Sequence, residues 1–163
     1  MIVSCTGPRW SNFTKSMDKK TIKANVKKWF KDNANRIEYH TNGMTIGFDQ
    51  ICAVAAMEAD VPVVAVLPCK NQEKYWSEKD KEIYSSLLKQ CYQIEYISEN
   101  HYNGCELDRN TKLVEMSDYM LTLRDTIEAR SHGGTLSTIR KSLNKGIGVL
   151  NFFNNPPSIL TEV

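Results

Sequence analysis

Long hydrophobic runs are missing from this sequence, and no apolar stretch approaches the ~20 residues that a bilayer-spanning helix needs. The opening Met1-Ile-Val-Ser-Cys-Thr-Gly has neither the basic nor the long apolar stretch of a secretory leader. The expectation is a cytoplasmic chain, neither exported nor anchored. An excess of one charge is missing as well: 21 basic against 19 acidic residues leave a formal net charge of +2. That balance gives no global reason to expect a nucleic-acid polymer as partner. The lysines between Lys15 and Lys31 do form a local basic run, at spacings that suit the solvated face of a helix. Cysteine is present in an odd number, five, without a CxxC pair, which fits reduced thiols better than disulfides or zinc ligands. His40, His101 and His132 are scattered, so neither a metal cluster nor a catalytic triad is expected, and no cofactor is called for. Internal repeats and low-complexity segments are absent, and the Asn12-Phe13-Thr14 sequon carries no meaning in a cytosolic chain.

What is present is ordinary globular composition, 41% hydrophobic and 25% charged, in a length that suits one domain over residues 1–163. Short β-branched or apolar runs alternate with helical patterns, the mark of repeated βα units and a mostly parallel sheet. The strands are expected at Ile2 to Cys5, Ile37 to His40, Val61 to Leu67, Gln93 to Ile97, Tyr119 to Leu123 and Ile147 to Phe153. Helices are expected between them at about Lys19 to Ala34, Gly47 to Ala59, Ser77 to Gln90, Glu106 to Met116 and Thr135 to Asn144. The run Val61-Pro-Val-Val-Ala-Val-Leu is continuous enough for a central strand buried on both faces. Pro156 and Pro157 mark a turn-rich tail that should end the sheet. The fold class is therefore α/β, a Rossmann-like doubly wound sheet of about six strands. Ligands of such sheets sit at the carboxyl ends of the strands, where loops meet helix N-termini.

Those loops hold the candidate residues. The first strand runs into Thr6-Gly7-Pro8-Arg9, where glycine permits close backbone approach and arginine can grip phosphate; an ordinary turn with a surface arginine is the competing reading. Gly43 and Gly47 bracket the next loop, and Asp49 falls in the first turn of the following helix. Asp49 there either favours the helix dipole or faces a ribose hydroxyl. Gly133-Gly134-Thr135-Leu136-Ser137 opens another helix, and two glycine loops at adjacent strand ends say more than one. Neither is a Walker A sequence or a full G-x-G-x-x-G fingerprint. Lys70, Arg109 and Asn110 follow the third and fourth strands as further phosphate or sugar contacts, with Tyr75, Trp76 or Tyr102 available to stack on a base.

In order along the chain, Thr6-Gly7-Pro8-Arg9, Gly47-Phe48-Asp49, Leu67-Pro68-Cys69, Trp76-Ser77-Glu78-Lys79-Asp80, Tyr102-Asn103-Gly104-Cys105 with Arg109-Asn110, and Gly133-Gly134-Thr135 resemble the pattern of the SLOG superfamily. This is the Rossmann-like group of LOG-type phosphoribohydrolases, YpsA-like proteins and the bacterial DNA-processing protein, and the likeness is closest to the YpsA-like branch. The resemblance implies a nucleotide-derived ligand held by the Gly7/Arg9, Gly43-to-Asp49 and Gly133-to-Thr135 loops, and self-association into a homo-oligomer. Two departures stand out. Gly43-Met44-Thr45 replaces the family's small Gly-Gly-Ala, and Thr138 stands where LOG-like hydrolases carry the glutamate that serves N-glycosidic cleavage.

The expected function is accordingly binding, for sensing, signalling or sequestration, of a nucleotide or an ADP-ribose-like compound, with no catalytic residue assigned. An N-glycosidic hydrolase or glycosyl transferase is the first alternative, and it would have to recruit Asp49, Asp125 or Glu128. A DNA-binding protein is the second, resting on kinship and on the Lys15-to-Lys31 run, against the near-neutral charge.

Overall fold

The computed structural model describes residues 1–127 and 133–163. Strands and helices alternate as β1 (Ile2–Thr6), α1 (Lys19–Asn33), β2 (Tyr39–Asn42), α2 (Phe48–Glu58), β3 (Val63–Leu67), α3 (Glu78–Lys89), β4 (Gln93–Tyr96), α4 (Cys105–Met116), β5 (Tyr119–Thr122), α5 (Gly134–Lys145), β6 (Gly148–Asn151) and β7 (Ser158–Ile159). Among the described residues these strands form one sheet, in the order β4-β3-β2-β1-β5-β6-β7. Every neighbouring pair is parallel except β6 with β7.

The period-two alternation of the strands and the four-residue spacing of the helices decide which helices cover which face. Val3 and Cys5 of β1 point toward α1, α2 and α3, joining Val63, Ala65 and Leu67 of β3 in the main core. Helix α1 meets them with Ile22, Val26 and Phe30, a single stripe along one side of the helix. On the opposite face Val64 and Val66 pack on Leu113 of α4, and Met120 and Val149 pack on Val114 of α4 and Ile139 of α5. Ser4 faces the same side, where Thr41, Ser117 and the Leu113 carbonyl satisfy its hydroxyl. Helix starts follow their caps: Asp18 accepts from the Lys20 N–H at 3.2 Å, and Ser77 Oγ from the Asp80 N–H at 3.1 Å.

Two expectations are corrected. β3 is buried along its whole length, as its continuous apolar run predicts, but β1 is the middle strand; β3 lies two places from it, beside the edge strand β4, and is covered by α2 on one face and α4 on the other. The chain also does not leave the sheet at Pro156 and Pro157. The prolines occupy the turn, and the two residues of β7 then pair antiparallel with β6, Ser158 opposite Asn151 and Ile159 opposite Leu150. Proline is excluded only from donating in the ladder, so a strand can begin directly after it. No described helix is long and apolar enough to cross a membrane.

Candidate functional site

The chain lays β2, β3 and β4 successively to one side of β1 and then crosses to place β5 on the other. This reversal makes the carboxyl ends of β1 and β5 the switch point, where loops on the two sides part and leave a crevice. A cleft of about 360 Å³ lies there. One wall is the segment after β1, with Ser11, Asn12 and Thr14; the other is Asp125 and the start of α5, with Gly134 and Thr135. Thr14 Oγ1 donates to Asp125 Oδ2 at 2.5 Å, and the Ile127 N–H donates to Asp125 Oδ1 at 2.8 Å, so this carboxylate is fixed in place on the cleft wall. Gly133, which precedes α5, offers no capping side chain and has φ 129°; a Cβ built on it meets nothing within 4 Å. Among the described residues the start of α5 is therefore left uncovered at Gly133, the arrangement that receives an anion.

The other predicted glycines are close-packed, and against protein rather than ligand. A Cβ on Gly7 would lie 2.5 Å from the Phe48 ring, so Gly7 is the point where the β1 loop passes over the start of α2. Gly47, at φ 111°, has the Pro8 carbonyl 2.4 Å from where its Cβ would be. The Phe48 N–H donates to that same carbonyl at 3.1 Å, which occupies a donor of the α2 N-terminus that the sequence reading left for an anion. Gly43 is covered by Arg109, whose Nη1 donates to its carbonyl at 3.0 Å.

Behind this contact lies a buried polar cluster. Asp49 is 6% exposed and Arg109 4%. Asp49 Oδ2 accepts from Thr45 Oγ1 at 2.6 Å, closing the β2–α2 loop, and neither residue belongs to the cleft lining. Burial raises the Asp49 pKa, while the Arg109 charge and the Thr45 hydrogen bonds pull it down. Arg109 Nε donates to Asn110 Oδ1 at 2.8 Å, and Asn110 Nδ2 lies 3.6 Å from a Cβ built on Gly134. Asn110 thus links the buried cluster to the cleft wall. Asn42, fully buried, wires the loop from inside: its Oδ1 accepts from the Met44 N–H at 2.7 Å and its Nδ2 donates to the Asp49 carbonyl at 2.7 Å.

The remaining predicted residues divide. Gly133, Gly134 and Thr135 line the cleft; Thr6, the last residue of β1, is buried and does not, its carbonyl accepting from Thr122 Oγ1 at 2.8 Å. Arg9 is exposed and lies over the Trp76 ring at 5.8 Å, and Trp76 itself packs edge-on to Tyr84. Lys70 pairs with Glu99 at 2.8 Å beyond the carboxyl ends of β3 and β4, outside the cleft lining. Tyr75 is exposed, and Tyr102 donates to Asp108 Oδ2 at 2.6 Å. Glu128 and His132 lie outside the described residues. Ser11 and Thr14 were not singled out as site residues. Their signal in the sequence is polar side chains directly after the first strand, ahead of the basic run.

A family model described as the YspA SLOG family, YpsA, matches residues 13–152. The chain belongs to the YpsA family of the SLOG group. DNA processing protein A of Streptococcus pneumoniae has a similar fold, with TM-score 0.65 and 17% identity over 91% of this chain and 49% of that one. DNA processing protein A of Helicobacter pylori, solved to explain its single-stranded DNA binding mode, gives TM-score 0.64 and 16% identity over 93% of this chain and 64% of that one. A molybdenum cofactor binding protein of Rippkaea orientalis gives 0.58 and 18% identity over 92% and 74%. This chain thus spans about half of the pneumococcal protein and under two-thirds of the Helicobacter one. No match is found among curated proteins.

The two departures from the YpsA and SLOG patterns have physical consequences. Met44 takes φ 62°, which the Asn42 side chain supports, and its own side chain is fully buried in the core, not projected into the cleft. Thr138, at the position of the hydrolases' glutamate, is 1% exposed, and its Oγ1 donates back to the Gly134 carbonyl at 2.8 Å within α5.

Proposed function

We propose that the chain is a binding protein for a nucleotide or nucleotide-derived anion, held in the cleft between the segment after β1 and the start of α5. The observation that carries the reading is the uncapped, unobstructed Gly133-Gly134 start of α5 at the switch point, the one predicted glycine pair left open while Gly7, Gly43 and Gly47 are used for packing. Thr135, Ser11 and Asn12 add hydroxyl and amide groups suited to phosphate and sugar oxygens. Arg9, Asp49 and Arg109 support the site from outside or beneath rather than lining it. The Rippkaea protein of similar fold is named for binding the molybdenum cofactor, which supports retention rather than turnover of a ligand.

A second reading is favoured by one residue. Asp125 is a fixed carboxylate on the cleft wall, where Thr138 supplies none, so N-glycosidic cleavage would act through it.

Calorimetric titration with a panel of nucleotides and ADP-ribose, followed by product analysis, separates these readings. Saturable binding of an intact compound, lost in Gly134→Ala, supports the first; release of free base, abolished in Asp125→Asn, supports the second. Binding of single-stranded DNA that weakens steeply with salt, with no small ligand bound, would replace both by a polymer-binding function.

A further inference from the structure

Away from the cleft, the start of α4 gathers three side chains of differing chemistry. Gly104 precedes the helix at φ 94°, a left-handed conformation that brings His101 back beside the helix start. His101 Nε2 lies 3.4 Å from Glu106 Oε1, and Cys105 Sγ lies 3.4 Å from Glu106 Oε2. The donor atoms of the three residues are all within 4.8 Å of one another. Zinc bonds of about 2.0–2.3 Å set tetrahedral edges of roughly 3.3–3.8 Å, so whichever Glu106 oxygen binds is already at that length from one of the other two donors, and the remaining separations, within 4.8 Å, close by side-chain rotation. None of the three residues lines the switch-point cleft.

The chemistry agrees with the distances. Thiolate, imidazole and carboxylate form a mixed S/N/O set of the kind zinc accepts, and the two anions offset the charge of a divalent ion. Cys105 is buried at the first residue of α4, while His101 and Glu106 are exposed and give an ion a route from solvent. All three ligands come from residues 101–106, so the site does not depend on the placement of any distant loop.

We propose that His101, Cys105 and Glu106 form a three-ligand zinc site with its fourth position open to water. Binding replaces the Cys105 S–H bond by an S–Zn bond, the proton passes to solvent, and no oxidation state changes. The histidine spacing in the sequence conceals such a site, because its other ligands are not histidines.

The test uses the full chain, freed of metal by a chelator and titrated with Zn²⁺ by calorimetry and with Co²⁺ by absorption. The expected result is one equivalent of Zn²⁺ and a thiolate-to-cobalt charge-transfer band. Cys105→Ser should lose the band, and His101→Ala and Glu106→Gln should each weaken Zn²⁺ binding by about tenfold or more. Cys91→Ser, which alters a half-buried cysteine of no proposed role, should leave both unchanged. Because His101 is exposed, its alanine variant reports on the ion even if Cys105→Ser disturbs packing. Absence of the band in the wild type, or wild-type affinity in His101→Ala and Glu106→Gln, overturns the site; so does loss of the band in Cys91→Ser with its retention in Cys105→Ser.

Discussion

Glycines 7 and 134 occupy comparable loops and respond to opposite forces. At Gly7 an added methyl is driven into Phe48, a fully buried ring, so Gly7→Ala should lower stability by about 1–3 kcal/mol, the usual cost of overpacking, as read from the urea midpoint. At Gly134 the nearest obstacle is 3.6 Å away, so Gly134→Ala should leave that midpoint unchanged while placing a methyl where the ligand sits. A Gly134→Ala chain that unfolds early would contradict the open geometry of the α5 start. His40 offers a second test at this scale. It is fully buried between the Val3 carbonyl and Asn42, and burial lowers its pKa from 6.5 to about 4. The unfolded chain takes up the proton that the folded chain refuses, so stability should fall as pH drops from 6.5 toward 4, by roughly 3 kcal/mol in total, and stay level above that window. Asp49, whose pKa burial raises, acts in the opposite direction at acid pH. The readout is therefore the difference between wild type and His40→Gln in urea midpoints from pH 7 to 4.5; parallel profiles would show that His40 is not the source.

Helix boundaries are set by caps where a polar side chain stands before the apolar stripe, and by tertiary contact where none does. Ser77 belongs to the first kind, and Ser77→Ala should cost about 1 kcal/mol, measured by thermal or urea unfolding. Helix α2 belongs to the second: its N-cap is a glycine with no side chain, and the Pro8 carbonyl from the loop after β1 takes the Phe48 N–H. The pattern Gly43-x3-Gly47 reads equally well as an anion loop or as a close crossing of backbones, because both need a residue without a Cβ. Only the position of Pro8 distinguishes them. The tail shows a similar ambiguity, since Pro156 and Pro157 mark a turn but do not say whether the chain returns to the sheet afterwards.

At the scale of the molecule, Arg109 joins α4 to the β2–α2 loop by donating to the Gly43 carbonyl, and it supplies the positive charge nearest to Asp49 in electrostatic effect. Arg109→Met should destabilise the chain by about 3–5 kcal/mol, because a buried carboxylate loses its compensating charge and the Gly43 carbonyl keeps only one of its two donors, Gln72 Nε2. Asp49→Asn in the Arg109→Met background should then cost less than in the wild type, with a coupling of about 0.5–3 kcal/mol in a double-mutant cycle. Additive costs would mean that the two residues stabilise the loop independently.

The alternation of apolar runs and helical patterns determined the α/β class, the mostly parallel sheet and the burial of Val63 to Leu67, because the length and spacing of apolar runs are properties of local sequence. The same text placed the Gly133-Gly134-Thr135 loop at the end of β5. It did not decide which glycines face solvent and which face Phe48, Arg109 or Pro8. Those outcomes depend on the strand order and on how loops from different βα units press together at one edge of the sheet. Such contacts join residues far apart in the chain, and no local pattern of residue types encodes them.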